Sequence, residues 1–445
     1  KIDEVVHATG WREHLDKKYI SEITNNLGLL PGEIDPQRIR RSFGRVFNLN
    51  PTERICSWGM LESFVQTIKK SGGYGNVHKN IDGKIDFVGI VPNYSIRFMS
   101  SSIFFPVTQL DSRFQTCIAR GRLYGLVTLT GNRSLLPLAF GWASSEKGEF
   151  TDMLFDMIHN ELHFIKCCHT DEALALINSV EKVGIENLLC TWHMSHHCPD
   201  KQAFISLVKS KTPQEYEIKK QNIIKSNGNL ANYLNKKSRW KKISRFESDL
   251  PRDLCIASTT AESLNALIAK LHLKNKEPLE VLMNIYDIGF FCIKNICLQT
   301  GTLTDSADDW LDYAMTVAHH LTVIQSPLYL WKFEVYKEGD VSTKCTVIII
   351  PNETPTCKCR FFEDCGMPCI HMLAVAIKFK MDWGEWIHPR YFISNYKLHF
   401  QNNIQYPDFD RIIQTNNDKP EKVGSLKQRN KRIPTPGEAP PSHKK

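Results

Sequence analysis

Four residues in the C-terminal third constrain this chain more than any others: Cys357 and Cys359, then Cys369 and His371. They spell C-x-C-x9-C-x-H, two close pairs of soft or borderline ligands. Such a set fills the tetrahedral sphere of Zn2+ and leaves no position open for water, so the expected site is structural. Cys365, inside the intervening loop, is the rival ligand. A hairpin is predicted just before the cluster, with strands Leu328–Tyr336 and Lys344–Ile350 split by a turn beginning Lys337-Glu338-Gly339-Asp340. A helix predicted over His371–Phe379 follows. Together they would hold the two ligand pairs against each other.

The other cysteines carry less information. The chain has 14 of them spread over 445 residues, without the dense framework of a small secreted scaffold. Clustered Cys and His point to metal in a reducing compartment, and scattered Cys to small core hydrophobes. Cytosol or nucleus is therefore expected. There is no secretory leader pattern, and the chain opens on Lys1, so an upstream piece is expected. Leu279–Leu298 is the most apolar stretch, but Glu280, Asn284, Asp287, Lys294 and Asn295 interrupt it. It reads as a buried helix, and no membrane partner is expected.

The net charge of +8 becomes useful once it is located. Lys201 to Arg245 holds 12 basic residues against Glu215 and Glu217, and Asp418 to Lys445 holds eight against three. The remainder is acidic. Basic segments of this kind suit a phosphate backbone through counterion release, although a solvated helix face is equally ordinary. Lys236, Lys237, Arg239, Lys241 and Lys242 are the candidate DNA contacts. Trp240, set among them, is expected to stack on a base. In the tail, Lys427-Gln428-Arg429-Asn430-Lys431-Arg432 reads as a nuclear localisation signal or a phosphate-binding arm.

Hydrophobic periodicity divides the chain. Residues 1–100 read as mostly helical, turning to β from Ile85 through Phe87–Val91 and Ser95–Met99. A strong strand, Ile103–Leu110, ends at Asp111. Strands Leu123–Thr130 and Leu136–Trp142 follow, then helix Phe150–Leu162, strand His163–Cys168, helix Glu172–Val183 and a short strand at Asn187–Thr191. This is the order of a mixed sheet flanked by helices, an α/β fold. Residues 101–196 form its first part, the basic helical insertion covers 197–256, and 257–326 completes it with helices running to about Ile324. The zinc module covers 327–390 as a small ββα unit. A basic, mostly disordered tail is expected over 391–445.

Three carboxylates mark possible chemistry. Asp111 ends the first strong strand, Asp171 follows strand His163–Cys168, and Glu262 lies in the first turn of a helix predicted over Ala261–Leu273. Each has a bland reading, as a turn residue, an N-cap or half of the capping box Thr259-x-x-Glu262. Brought to one sheet edge, the three would repel unless divalent cations neutralised them. Oxygen ligands suit Mg2+, or Mn2+ in its place. Two such ions can activate a water or a 3′-hydroxyl for in-line phosphodiester displacement.

The ordered set resembles the Mutator-like element (MULE) transposases. Leu110-Asp111 matches the first Asp motif, Leu136-Pro137-Leu138-Ala139-Phe140 with Glu146 a "plaf…E" stretch, and Thr170-Asp171 the second Asp. Thr259-Thr260-Ala261-Glu262-Ser263-Leu264-Asn265 matches the Glu block, and Cys190-Thr191-Trp192-His193 the C-x-x-H motif. Ser112-Arg113 stands where the family commonly has Gly-Thr. Cys357–Ala374 is similar to the SWIM zinc finger that follows the core in many of these proteins. The resemblance spans roughly residues 50–435 and implies an RNase H-like core with a DDE triad of Asp111, Asp171 and Glu262. It also implies catalytic support from Cys190 and His193, zinc at the SWIM site and double-stranded DNA as partner. A homodimer or higher oligomer on DNA and a nuclear location go with it. The alternative expectation is a domesticated, non-catalytic DNA-binding regulator.

Overall fold

The computed structural model describes residues 57–412 apart from 117–119, 211, 237–238, 255–258, 272, 402–403 and 410–411. The helices expected before residue 57, Lys237 and the basic run Lys427–Arg432 lie outside the described residues.

The described residues begin with α1 (Leu61–Lys70), β1 (Tyr74–Lys79), β2 (Ile85–Val91) and α2 (Asn93–Met99). Three longer strands follow: β3 (Val107–Phe114), β4 (Arg122–Leu129) and β5 (Leu135–Ala143). Then α3 (Gly148–Asp156), β6 (Cys167–Thr170), α4 (Leu174–Lys182) and β7 (Glu186–Leu189) alternate. All seven strands form one sheet of order β1-β2-β5-β4-β3-β6-β7. The pairs from β1 to β3 are antiparallel, and β3/β6 and β6/β7 are parallel. Parallel neighbours need a crossover, which α4 supplies between β6 and β7. Every residue of β2 is buried, as expected for a strand covered on both faces.

The helical insertion consists of α5 (Thr191–His197), α6 (Lys201–Val208), α7 (Pro213–Ser226), α8 (Gly228–Asn235) and α9 (Arg239–Ile243). Its starts are written locally. Asp200, Thr212 and Asn227 each accept a backbone N–H of the first turn, and Pro213 occupies a position where no N–H is needed. Phe204, Leu207, Tyr216, Ile223, Leu234 and Trp240 bury one another in a small core of its own.

Beyond it lie α10 (Thr259–Lys270), α11 (Pro278–Leu298) and α12 (Asp305–Ala318). On length and composition alone α11 could cross a membrane. Here it packs on β5, burying Leu282, Ile285, Tyr286 and Ile293. A second sheet, antiparallel and of order β11-β10-β9-β8, comprises β8 (Leu321–Gln325), β9 (Lys332–Lys337), β10 (Asp340–Ile348) and β11 (Thr356–Cys357). It carries α13 (Phe361–Cys365) and α14 (Ile370–Phe379), and α15 (Ile393–Phe400) returns to pack on α11.

Several expectations are corrected. Ser95–Met99 is the end of a helix, and β1 makes the region before residue 100 part of the main sheet. The strand expected at Ile103–Leu110 starts only at Val107, because Pro106 has no N–H for a ladder and Phe104 and Phe105 enter the interior from a loop. Asp111 therefore lies within β3, not at its end. The short run His163–Phe164 is a turn of 3-10 helix before β6. Residues 321–325, read as the end of a helix, form β8, so the zinc module has four strands in place of two. Leu328–Trp331 is an exposed turn. The tail is not free from residue 391, since Tyr396, Phe400 and Phe409 join the main core.

A buried ion network fastens the zinc module to the rest. Asp253, 2% exposed, receives Arg390 at 2.5 and 3.0 Å and Arg133 of the β4–β5 turn at 2.5 Å. Arg390 also donates to the Cys365 carbonyl at 2.7 Å and lies 4.2 Å from the Phe105 ring. Asp253→Ala would leave the Arg390 guanidinium buried and unpaired, and should cost about 3–5 kcal/mol. Urea unfolding of the full chain measures this. A loss below about 1 kcal/mol would mean the network bears little load.

Candidate zinc centre and carboxylate edge

The C-terminal cluster is built by three elements. Strand β11 pairs with β10 through Val347/Cys357 and Ile348/Thr356, which sets Cys357 on the sheet edge. Three residues later the chain turns: Arg360 adopts φ +60°, with its N–H on the Cys357 carbonyl at 2.8 Å and its guanidinium on Asp249. Helix α14 brings the second pair. Cys369 is its N-cap, the sulfur accepting the Met372 N–H at 3.4 Å, and His371 follows in the first turn. Gly366 between them has φ +75°, a conformation that favours glycine, and a Cβ there would lie 2.6 Å from His388.

All four predicted ligands come together, and all are buried or nearly so. His371 Nδ1 lies 3.8 Å from the sulfurs of both Cys357 and Cys369. Cys359 is held well below the usual thiol pKa by hydrogen bonds from Cys345, Cys357, Cys369 and His371, the largest from Cys345. Sulfur and imidazole in this number are the donor set zinc requires, and they would hold it as a closed structural site. The rival Cys365 stays out. Its sulfur donates to the Phe361 carbonyl at 3.1 Å within α13, and burial pushes its pKa up to about 12.

One donor was missed in the sequence. Cys345 Sγ lies 3.5 Å from Cys357 Sγ, and Cys345, Cys357, Cys359 and His371 offer ligand atoms all within 4.8 Å of one another. Its only signal in the sequence is an inward position in a predicted strand, which a core cysteine shares.

With this geometry in view, the comparison is direct. Residues 345–380 match the SWIM zinc finger. No protein of curated function matches the chain. The SWIM finger here is not an appendage: Asp364 accepts the Arg252 N–H at 2.8 Å through its side chain and the Asp253 N–H at 2.7 Å through its carbonyl. Arg252 in turn donates to the carbonyls of Lys241, Lys242 and Ser244, capping the end of α9. The loop between the ligand pairs thus carries the segment leading out of the basic insertion.

At the other site, the parallel register pairs residues 107–109 with 167–169, so position 111 continues level with 171. Asp111 is 9% exposed. Its carboxylate accepts the Ser112 N–H and the Asn265 amide, each at 2.8 Å. Helix α10 is docked above by Ala261 N–H to Gln109 Oε1 at 3.1 Å and by Arg113 to the Asn265 carbonyl. Gly125, paired with Asp111, allows this approach, since a Cβ there would meet Leu264 at 2.9 Å. Glu262 lies in the first turn of α10, but its side chain is not among those described.

Asp171 accepts the Ala173 N–H at 2.8 Å. Burial raises its pKa, the Ala173 bond and the charge of His193 lower it, and Glu146 adds to the rise. Glu146, known from the sequence only as part of a motif, is held by Ser112 Oγ at 2.5 Å and Arg122 at 2.9 Å. Cys190 is buried at the start of α5, its N–H on the Thr170 carbonyl, and His193 is one residue past Trp192, which is exposed.

The basic insertion needs a correction. Trp240 cannot stack on a base: it is 8% exposed, with its indole N–H on Asn235. Arg239 pairs with Glu172 at 2.5 Å and Lys242 with Glu181 at 2.8 Å, so they dock the insertion onto α4 and the turn just before it. Lys236 and Lys241 are exposed.

Because Asp364 and Arg360 hold residues 245–254, stripping zinc with a strong chelator should loosen that segment together with 345–380. Losing one charge-assisted hydrogen bond corresponds to about ten- to hundred-fold faster amide exchange. Hydrogen exchange by mass spectrometry reads it. Unchanged protection at 245–254 would show that the segment holds without the metal.

Proposed function

We propose that the chain is a DDE-type transposase of the Mutator-like kind, with an RNase H-like core that cuts DNA phosphodiesters at element ends and joins the freed 3′-OH to target DNA. The observation that supports this reading is the β3/β6 register, 107–109 against 167–169, which continued by two residues brings Asp111 opposite Asp171, while the helix bearing Glu262 packs on β3 and β4. Strand order β5-β4-β3-β6-β7, three antiparallel then two parallel, supports the RNase H-like assignment. A DDE site on such a sheet combines residues far apart in sequence.

Asp111, Asp171 and Glu262 would hold Mg2+ or Mn2+. Their oxygen donors and the burial that raises the Asp171 pKa fit a hard cation that repays the burial of charge. When bound, such ions polarise the attacking oxygen and the leaving oxygen of the phosphodiester. The chain's own residues prepare the site. Asn265 and the Ser112 N–H fix the rotamer of Asp111, the Ala173 N–H fixes Asp171, and His193 favours the charged form of Asp171. Cys190 anchors the start of the helix that carries His193. Lys236 and Lys241 would meet the phosphate backbone, two chains would serve the two ends of an element, and the basic tail run would direct nuclear import.

A second reading is favoured by one observation. Asp111 already receives two hydrogen bonds, and Arg113, from the Ser112-Arg113 pair that stands where the family commonly has Gly-Thr, places a cation beside it. Protein groups would then replace the metal, leaving a DNA-binding regulator without catalysis.

Asp171→Asn should reduce metal-dependent cleavage of element-end DNA at least about a hundredfold, the loss of several kcal/mol of transition-state stabilisation, and leave DNA binding largely intact. Binding without cleavage by the unsubstituted chain would favour the regulator. Separately, Lys236→Ala with Lys241→Ala should lower the slope of log affinity against log salt by about 1.8 if both meet phosphates. An unchanged slope moves the DNA contact elsewhere.

A further inference from the structure

Zinc has four places and this centre offers five donors. Cys345, Cys357, Cys359 and His371 form one four-donor set. Cys369 is the fifth donor, 3.8 Å from His371 Nδ1 and electrostatically linked with Cys357 and Cys359. We propose that Cys345 and Cys369 are interchangeable zinc thiolates on a shared base of Cys357, Cys359 and His371.

The placement of Cys345 is set by the sheet. Val347 pairs with Cys357 across β10 and β11, and Cys345, two residues back on β10, points to the same face. Its pairing with Val335 of β9 holds that strand on the other side. The sulfur, on a residue 2% exposed, therefore reaches the cluster from the face of the sheet that carries Cys357. Cys369 reaches it from the opposite side, from the start of α14. A cysteine that only filled the core would have no reason to sit 3.5 Å from one ligand and within 4.8 Å of two more.

In the exchange one zinc–sulfur bond forms as the other breaks, and the arriving thiol gives its proton to the departing thiolate. The coordination number, the net charge and the oxidation states are the same before and after. The free thiol stays in contact with the centre, where its S–H can donate to the bound Cys357 sulfur. One consequence is tolerance: loss of either exchangeable cysteine leaves a complete site.

The test uses the full chain carrying Cys345→Ser, Cys369→Ser, both together, or Cys357→Ser. Zinc per chain is measured colorimetrically after unfolding, and Co2+ substitution reports the number of thiolates through its sulfur-to-metal charge-transfer band. Each exchangeable single variant should keep one metal ion with three thiolates. The double variant should lose more than about a hundredfold in affinity, beyond what changes outside the ligand set cost. Metal loss in Cys369→Ser as complete as in Cys357→Ser overturns the proposal, as does full retention by the double variant. Should Cys369→Ser not fold, slow alkylation of the zinc-loaded unsubstituted chain decides. Label divided between Cys345 and Cys369 supports exchange, and label on Cys345 alone refutes it.

Discussion

The carboxylate of Asp253 is the point on which the parts of this molecule converge. It is buried, and two arginines neutralise it: Arg390, buried, beyond the zinc cluster, and Arg133, partly exposed, from a turn of the main sheet. Charges taken out of water are retained only where each is paired and its remaining hydrogen-bonding capacity is met. Besides Asp253, Arg390 binds the Cys365 carbonyl and the Tyr391 hydroxyl through its Nη groups, while its buried Nε has no partner. Three segments that the sequence keeps over a hundred residues apart are held in one arrangement because separating any of them would strand a charge.

The same logic runs outward through Asp364 and Arg252. Asp364 has its carboxyl pushed up to about 6, first by burial, with Arg245 and Arg252 opposing the rise. Arg252 closes the end of α9, so the zinc loop, the exit from the basic insertion and the main sheet share one polar interior. The SWIM finger is therefore a fastening between layers as well as a local metal-stabilised fold.

Parts of this were legible early. The ligand pairs at Cys357, Cys359, Cys369 and His371 could be read because zinc imposes close spacing on flexible chain, and spacing is a property of sequence. The mixed sheet could be read from β3 to β7 because half-buried and fully buried strands leave periodic or continuous apolar runs. The boundaries slipped where apolar residues enter the core from loops, as at Phe104 and Phe105. They slipped again at β8, whose exposed edge carries too little pattern to separate strand from helix. Trp240 misled for a related reason. An aromatic ring among lysines has the same sequence signature whether it faces a base or the core of its own small bundle.

By itself the sequence determined where a Cys/His cluster suited to zinc would form, the alternation of strands and helices, and which segments carry positive charge. Each depends on neighbours within a few residues, where chain geometry is nearly invariant. Only the tertiary structure decided that Cys345 joins the metal donors and that Glu146 sits beside Asp171. It also decided that Arg239 and Lys242 are spent on docking the insertion while Lys236 and Lys241 remain exposed. Those outcomes follow from sheet register and from the pairing of buried charge. Both are settled by residues distant along the chain, and no local pattern records them.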